Sequence, residues 1–546
     1  MNNKYLNFVK NASDMENNDC TGIDNDNINK NFDNSDKVDF IAENNENLEE
    51  VNEDHNATAI IIDKNNEKSD SAGSNVLNKD KEIDMSSGSL LKKIIYFSIP
   101  LMLSGILQLA YNAADTIVVG RYAGSTALAA VGSTGALINL IVNLFMGFSV
   151  GSSVLVAQYY GAKDSENVSE VVHTAIGASF IFGIITSIIG ISMARVFLHA
   201  MGTPDEVLKP ATLYMQIYFA GMPASMVYNF GSSILRAIGD TKRPLIFLSI
   251  SGIVNVVLNL VFVIAFGMGV AGVAIATVVS QVISAILVVL CLIRSDGSYR
   301  LKVKEIKIFK DKLIKMMKIG IPAGLQSSIF SISNVLIQSS VNSLGKLAMA
   351  GNTACSNIDG FIYIATNAFY HASLAFTGQN FGAKKYDRIG SVLRICILLA
   401  TGVGASLGIL SYIFGEKLLS IYSPHDIEVI EYGMRRLSVT GLTYFLCGVM
   451  EAIVGTLRGM GISLIPMLVT IVGICGIRIG WIYTVFPMNR TIEVLYMSYP
   501  VSWITTSAIH LICYIFIKRK ILKDASLEHE ETPKKEATLK SADYTI

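Results

Sequence analysis

From Leu91 onward the chain is a succession of apolar runs, each about 20 or more residues long, and no other feature narrows the possible folds as much. A helical run of that length covers a hydrocarbon core roughly 30 Å thick. Within lipid every backbone N–H and C=O must be bonded internally, which leaves helices or closed barrels. The period-two alternation that a barrel strand needs is absent, so the runs read as helices. They fall near 92–119, 126–158, 168–199, 206–237, 244–266, 270–294, 313–341, 348–378, 387–414, 427–457, 463–486 and 493–517. The expected fold class is all-α: a polytopic membrane protein of twelve transmembrane helices. A hydrophobic content of 51% and a mean hydropathy of +0.46 fit that class and not a water-soluble domain.

Charge gives the orientation. Lys242 and Arg243, the run from Arg294 through Lys302, Lys304, Lys307, Lys310, Lys312, Lys315 and Lys318, then Lys384, Lys385 and Arg388, and finally Lys518, Arg519 and Lys520 all fall on one side. The opposite linkers carry isolated charges such as Arg121, Lys209 and Lys346. The positive-inside rule therefore predicts both termini in the cytoplasm, with the plasma membrane as the default location. Residues 1–89 are rich in Asn, Asp, Glu and Lys and read as a disordered extension, and the first apolar run is too long for a cleavable signal peptide. A formal net charge of zero argues against nucleic acid as a partner. Six of the seven cysteines lie in apolar stretches without any Cys-x-x-Cys pair, which predicts small buried thiols and no disulfide or metal framework.

The chain also repeats itself. Tyr96-Phe97-Ser98-Ile99-Pro100 is echoed by Lys318-Ile319-Gly320-Ile321-Pro322, Gln158 through Lys163 by Gln379 through Lys384, Leu235-Arg236 by Leu457-Arg458, and Pro244 by Pro466, all at an offset of 221 or 222 residues. Six helices return a chain to its starting side, so the halves share one orientation and are related by a pseudo-two-fold axis along the membrane normal. The predicted organisation is an extension (1–89), a six-helix lobe (90–294), a basic linker (295–312), a second six-helix lobe (313–518) and a tail (519–546). Two such lobes enclose a central cleft, and rocking them would expose it to either side in turn.

The order and spacing of Ile99-Pro100, Asp115 with Gly120-Arg121 and Gly124, Gln158 with Gly161-Ala162-Lys163, and Leu235-Arg236 with Gly239-Asp240 resemble the multidrug and toxic compound extrusion (MATE) family. The resemblance runs from Leu91 to about Lys523. It implies a V-shaped pair of bundles that exports small cationic or amphipathic organic compounds in exchange for H⁺ or Na⁺. It implies membrane lipid as surroundings and no cofactor beyond the coupling ion; a monomer is the expectation.

An ionisable side chain inside a span costs about 2.5–3.5 kcal/mol on insertion scales, so each is a functional candidate. Asp115, in Tyr111-Asn112-Ala113-Ala114-Asp115 and fifteen residues beyond the helix-bending Pro100, is the foremost. Asn255 and Asn259 share a helix face in the fifth span, and Thr277 adds an oxygen in the sixth. The family resemblance implies a cation-coupling site at Asp115, Asn255, Asn259 and Thr277, with Tyr111 nearby. Where the family often has a second aspartate this chain has Asn259, which favours H⁺ over Na⁺ as the coupling ion. In the second lobe Asp359, His371, Glu451 and Arg478 stand out, with Arg478 expected to neutralise Glu451 or Asp359 and to be the one Arg or Lys deep in a span. His371 reads as a core residue. Arg236 and Arg458 read as interfacial anchors. Asn139, Asn143, Phe145, Gln326, Asn357, Tyr363 and Asn367 are candidates for lining the cleft, because the resemblance places their helices there.

Other classes fit less well. The scattered histidines include no His-Glu-x-x-His pair, and neither a Ser/His/Asp set on one helix face nor a Walker A motif is present, which argues against a membrane enzyme or direct ATP coupling. A flippase for lipid-linked precursors would place several cations in the cleft. A channel would not need duplicated lobes with lone buried carboxylates.

Overall fold

The computed structural model describes residues 82–422 and 426–542; of the extension expected to be disordered, 1–89, residues 1–81 lie outside them. Among the described residues there is no strand. Twelve helical rods follow one another: α1 (Leu90–Tyr122), α2 (Ser125–Gly161), α3 (Ser165–Ala200), α4a (Asp205–Ala220) with α4b (Met222–Ala237), α5 (Lys242–Leu260), α6 (Gly269–Ile293), α7 (Lys310–Asn342), α8 (Lys346–Gly382), α9 (Tyr386–Ile413), α10a (Ile427–Thr443) with α10b (Phe445–Gly459), α11a (Leu464–Thr470) with α11b (Ile477–Thr484), and α12 (Ile492–Ala542). A short helix, Gly415–Ser420, follows α9.

Ten of the helices are long and apolar enough to cross a membrane. The fourth rod is not among them because it is divided at Gly221 into halves of 16 residues each. Nor is α8, whose length carries Asn352, Asn357, Asp359, Asn367, His371, Gln379 and Asn380. Side chains such as Ile188, Ile253 and Leu398 are 61–71% exposed on the outside of the bundle, an arrangement that only lipid stabilises.

The duplication seen in the sequence is present in the backbone. α2 and α8 each follow a glycine in a left-handed conformation, Gly124 and Gly345, and each ends at a left-handed lysine, Lys163 (φ 61°) and Lys384 (φ 57°). Both fifth-type rods contain a π-helical turn, Val261–Ala265 after α5 and Ile471–Gly476 between α11a and α11b. The cysteines Cys355, Cys396, Cys447 and Cys475 are buried free thiols, as expected.

The lobes meet along two seams. On one, α2 lies backbone to backbone on α7: a Cβ at Gly147 would stand 2.2 Å from Gly324 N, and one at Gly151 2.2 Å from Met316 O. On the other, α1 meets α8 through side chains, with Phe97 edge-on to Phe376 at 5.6 Å and Gly105 against Ile364. Where α1 begins and α2 ends, here the proximal face, the lobes close on each other reciprocally. Gln158 donates to Gly459 O at 2.9 Å and its repeat-mate Gln379 donates to Ala237 O at 2.8 Å. Gly161 and Gly382 let the two helix ends touch, since a Cβ at either would lie 2.0 Å or less from the opposite glutamine's carbonyl oxygen.

Candidate functional site

The site in the first lobe is set by how α1 rests on α5. Gly252 leaves room for the Tyr111 ring, whose atoms lie 1.9 Å from where a Cβ would be, and Tyr111 Oη donates to Ser249 O at 3.4 Å. One turn beyond Tyr111, that docking brings Asp115 opposite the asparagine pair. Asn259 Nδ2 donates to Asp115 Oδ1 and also to Asn255 Oδ1 at 3.2 Å, and Asn255 Nδ2 donates to Thr277 Oγ1 at 3.5 Å. Asp115, Asn259, Asn255 and Thr277 are thus one connected cluster, with Tyr111 one turn earlier on α1. Asn255 and Asn259 are buried and Asp115 is half-buried.

Two features define what this cluster can do. Asp115 has no Lys or Arg partner among the described residues; its bonded neighbours are the neutral Asn259 amide and the Thr277 hydroxyl. Asn259 Oδ1 is buried with no hydrogen-bond partner among the described residues, leaving an acceptor beside the carboxylate. A carboxylate flanked by a spare oxygen atom and lacking a fixed cation has the donor set to take up a proton or a small metal cation. The π-turn starting two residues after Asn259 loosens the α5 hydrogen-bond ladder at that point.

The second lobe departs from expectation. Asp359 is neutralised by Arg436 of α10a, whose Nη2 donates to Oδ2 at 2.7 Å, with Thr440 Oγ1 adding a bond at 3.2 Å. Arg436 Nη1 also reaches Asn352 O and Oδ1 at 2.6 Å and Ser356 at 2.5 Å, and Tyr496 donates to Asn352 Oδ1. Arg478 pairs with neither Asp359 nor Glu451. It is fully buried, donates to Ser502 and Asn334, and stacks 3.7 Å from the centroid of Tyr499. Nor is it alone, since Arg436 is buried too. Sequence reading overlooked Arg436 because it sits beside exposed Arg435 near the start of a span, where a headgroup contact is the default; its signal was the unpaired Asp359.

Arg458 is likewise no interfacial anchor. It is buried, and it clamps α10b to α8 and α7 by donating to Tyr370 Oη at 2.7 Å and Gln326 Oε1 at 2.8 Å. Gln326 is buried and forms part of that clamp. Glu451 is half-buried near Arg458 and Tyr363, with no hydrogen bond or ion pair among the described residues. His371 packs edge-on against Tyr370 at 5.0 Å. Asn139, Asn357 and Tyr363 are exposed, Asn143 and Asn367 half-buried, and Asn367 donates to Tyr363 Oη at 3.4 Å. Pro100 lies inside α1, and Ser104 Oγ bonds its carbonyl at 2.8 Å.

Twelve helical rods built on an internal repeat, with a carboxylate that has only neutral partners, describe a polytopic membrane protein. The MatE family model matches the chain twice, at residues 100–261 and 322–484, once in each lobe, and the chain belongs to that family. Its members are transporters, so the chain is not an enzyme. It is 29% identical over 447 residues to the probable multidrug resistance protein YoeA of Bacillus subtilis (strain 168), spanning 80% of this chain and 96% of that one. It is 21% identical to the multidrug export protein MepA of Staphylococcus saprophyticus, over 71% of this chain and 89% of that one. Among solved structures, an outward-facing MATE family transporter of the MOP superfamily aligns with a TM-score of 0.76 at 21% identity, covering 81% of this chain and 99% of that chain, which establishes the fold.

Proposed function

We propose that this protein exports small amphipathic or cationic organic compounds across the plasma membrane by alternating access, in exchange for H⁺ entering at Asp115. The observation that carries the reading is the carboxylate that has only neutral partners. Binding a proton removes its charge and lets the carboxyl donate to a spare oxygen, and so gives the lobe two states of different charge. The multidrug names of its relatives support the substrate class. The basic residues of the proximal face support a cytoplasmic location for that face and for both termini. Glu451, unpaired beside the exposed Tyr363, is the second-lobe group suited to hold a cationic substrate. The protein works as a monomer, surrounded by lipid and without a bound cofactor.

The test is efflux of a fluorescent cationic dye from vesicles under separately imposed H⁺ and Na⁺ gradients. Wild type should respond to the proton gradient, and Asp115→Asn should abolish the response. Asn259→Asp, which restores a second carboxylate, should make Na⁺ effective. Efflux driven by Na⁺ alone in the wild type, or undiminished in Asp115→Asn, would overturn proton coupling at this site.

A further inference from the structure

The proximal mouth between the lobes is not bare. The segment 82–88, just ahead of α1, lies across it and bonds to both sides, so the chain expected to be disordered up to 89 is built structure from residue 82. Its first two residues hold the first lobe and the linker that follows it. Tyr160 Oη donates to Glu82 Oε2 at 2.6 Å and Tyr299 donates to Glu82 Oε1. At Gly239, with φ of 102°, a Cβ would stand 2.6 Å from Ile83 O, so only a residue without one lets the strap pass. The last four residues, Met85 to Gly88, bond the second lobe. Met85 N donates to Gln379 Oε1 at 3.4 Å, and Asn380 Nδ2 donates to Met85 O at 3.0 Å. Lys385 Nζ donates to Ser86 O at 2.8 Å, and Arg388 Nη2 donates to Ser87 O and Gly88 O, each at 3.1 Å. The Met85 side chain is fully buried in a cluster with Phe97, Phe376 and Val392.

The division of these contacts is what matters. Glu82 bonds the first lobe and its linker, whereas Met85 to Gly88, tied to α1 through Lys93 and Phe97, also bond Gln379, Asn380, Lys385 and Arg388 on the second lobe's side, so separating the lobes at this face must break one set. Gln379 is common to both closures: its Oε1 accepts from the strap while its Nε2 donates across to Ala237 O of the first lobe. The strap also sits on the seam that lacks glycine-to-glycine contact, where α1 and α8 meet through side chains. We propose that residues 82–88 are an intramolecular latch, with the proximal ends of α2, α8 and α9 as its docking surface, that holds the cytoplasmic face closed and must release on one side each time that face opens. This rests on the alternating-access reading above.

The latch keeps its own shape. Although partial burial works to raise it, the Asp84 carboxyl is brought down to about 2 by hydrogen bonds from Ser87 and Ser86 and by the Lys93 ammonium. Since the folded value lies below the ordinary one, this contribution is complete above about pH 4 and is lost only as pH falls through about 2. The coupling proton therefore does not release the latch through Asp84.

The test is the distance distribution across the proximal mouth, measured by pulsed electron–electron spin resonance in the full chain. Labels go on cysteines placed at exposed Glu166 and Asp387, in a background without the native cysteines. Two latch variants are compared: Glu82→Gln with Met85→Ser, which cuts both sides, and Lys385→Ala with Arg388→Ala, which removes only surface bonds and so stands if the first fails to fold. Both should raise the population with a widened mouth, the first by about tenfold and the second by less. If the wild type shifts between two distances with pH while both variants keep its distribution, the latch is overturned and alternating access stands. A single fixed distance in the wild type and in both variants overturns both.

Discussion

The two lobes share a backbone and differ in what they bury. Asp115 of the first lobe has neutral partners, whereas Asp359 of the second is held by Arg436 within a network of five further side chains. Each site is missing from the other lobe. The repeat positions of Asp115, Asn255 and Asn259 are Ile337, Ile477 and Trp481, and those of Asp359 and Arg436 are Ile138 and Tyr214. The repeat keeps one scaffold and buries different charges in it: one half holds a carboxylate without a cationic partner among the described residues, the other a carboxylate already neutralised. A fixed pair is a poor coupling site, because a proton arriving at Asp359 must first displace a guanidinium.

That contrast can be broken most directly at Arg436. Truncation to Met leaves Asp359 buried without a cation and should cost about 3–5 kcal/mol, while the double replacement Arg436→Met with Asp359→Leu should recover most of it. Thermal unfolding of purified protein measures both. If Arg436→Met melts like the wild type but no longer exports dye, the second lobe carries coupling chemistry and the division of labour fails.

The seams offer a second contrast of intermediate size. At Gly147 an added methyl meets the Gly324 backbone, which cannot rotate away, and Gly147→Ala should cost about 1–3 kcal/mol by overpacking. At Gly105 the methyl meets Cγ2 of Ile364, a side chain that can change rotamer, and Gly105→Ala should cost less than about 1 kcal/mol. Equal losses in a melting experiment would mean that the α1–α8 seam is as rigid as the α2–α7 seam, and that neither is the freer side.

Much of this was written in the sequence, and the reason is physical. Span lengths follow from the hydrocarbon thickness, and the repeat follows from identical turn chemistry at matched offsets, so the helical rods and their repetition were legible. Asn255 and Asn259 could be paired because an i, i+4 pair shares a face whatever surrounds it, while their grouping with Asp115 and Thr277 came from the family resemblance. The Asp359–Arg436 pair was not legible, since its partners are 77 residues apart and meet only through packing. Arg458 misled for a related reason: its place near a helix end suggested water, but Gln158 of the other lobe satisfies the Gly459 carbonyl and Arg458 turns inward. The strap at residues 82–88 was hidden by composition, because its ordering comes from one buried methionine and from backbone groups that composition does not report.

The smallest effect tests the likeness of the lobes and not their difference. Lys163 and Lys384 end α2 and α8 in the left-handed conformation, where a side chain is penalised by the following carbonyl oxygen. The geometry is imposed by the helix end: Asp164 N bonds Tyr159 O at 3.0 Å and Lys385 N bonds Asn380 O at 2.8 Å, which closes each last turn only with that backbone twist. Glycine at either position removes the penalty, so Lys163→Gly and Lys384→Gly should each raise stability by up to about 1 kcal/mol. If the two caps are equivalent the gains should match and add in the double variant, since the sites share no partner. A gain at Lys163 alone would mean that the second lobe depends on the Lys384 side chain itself, one residue from the lysine that bonds the strap.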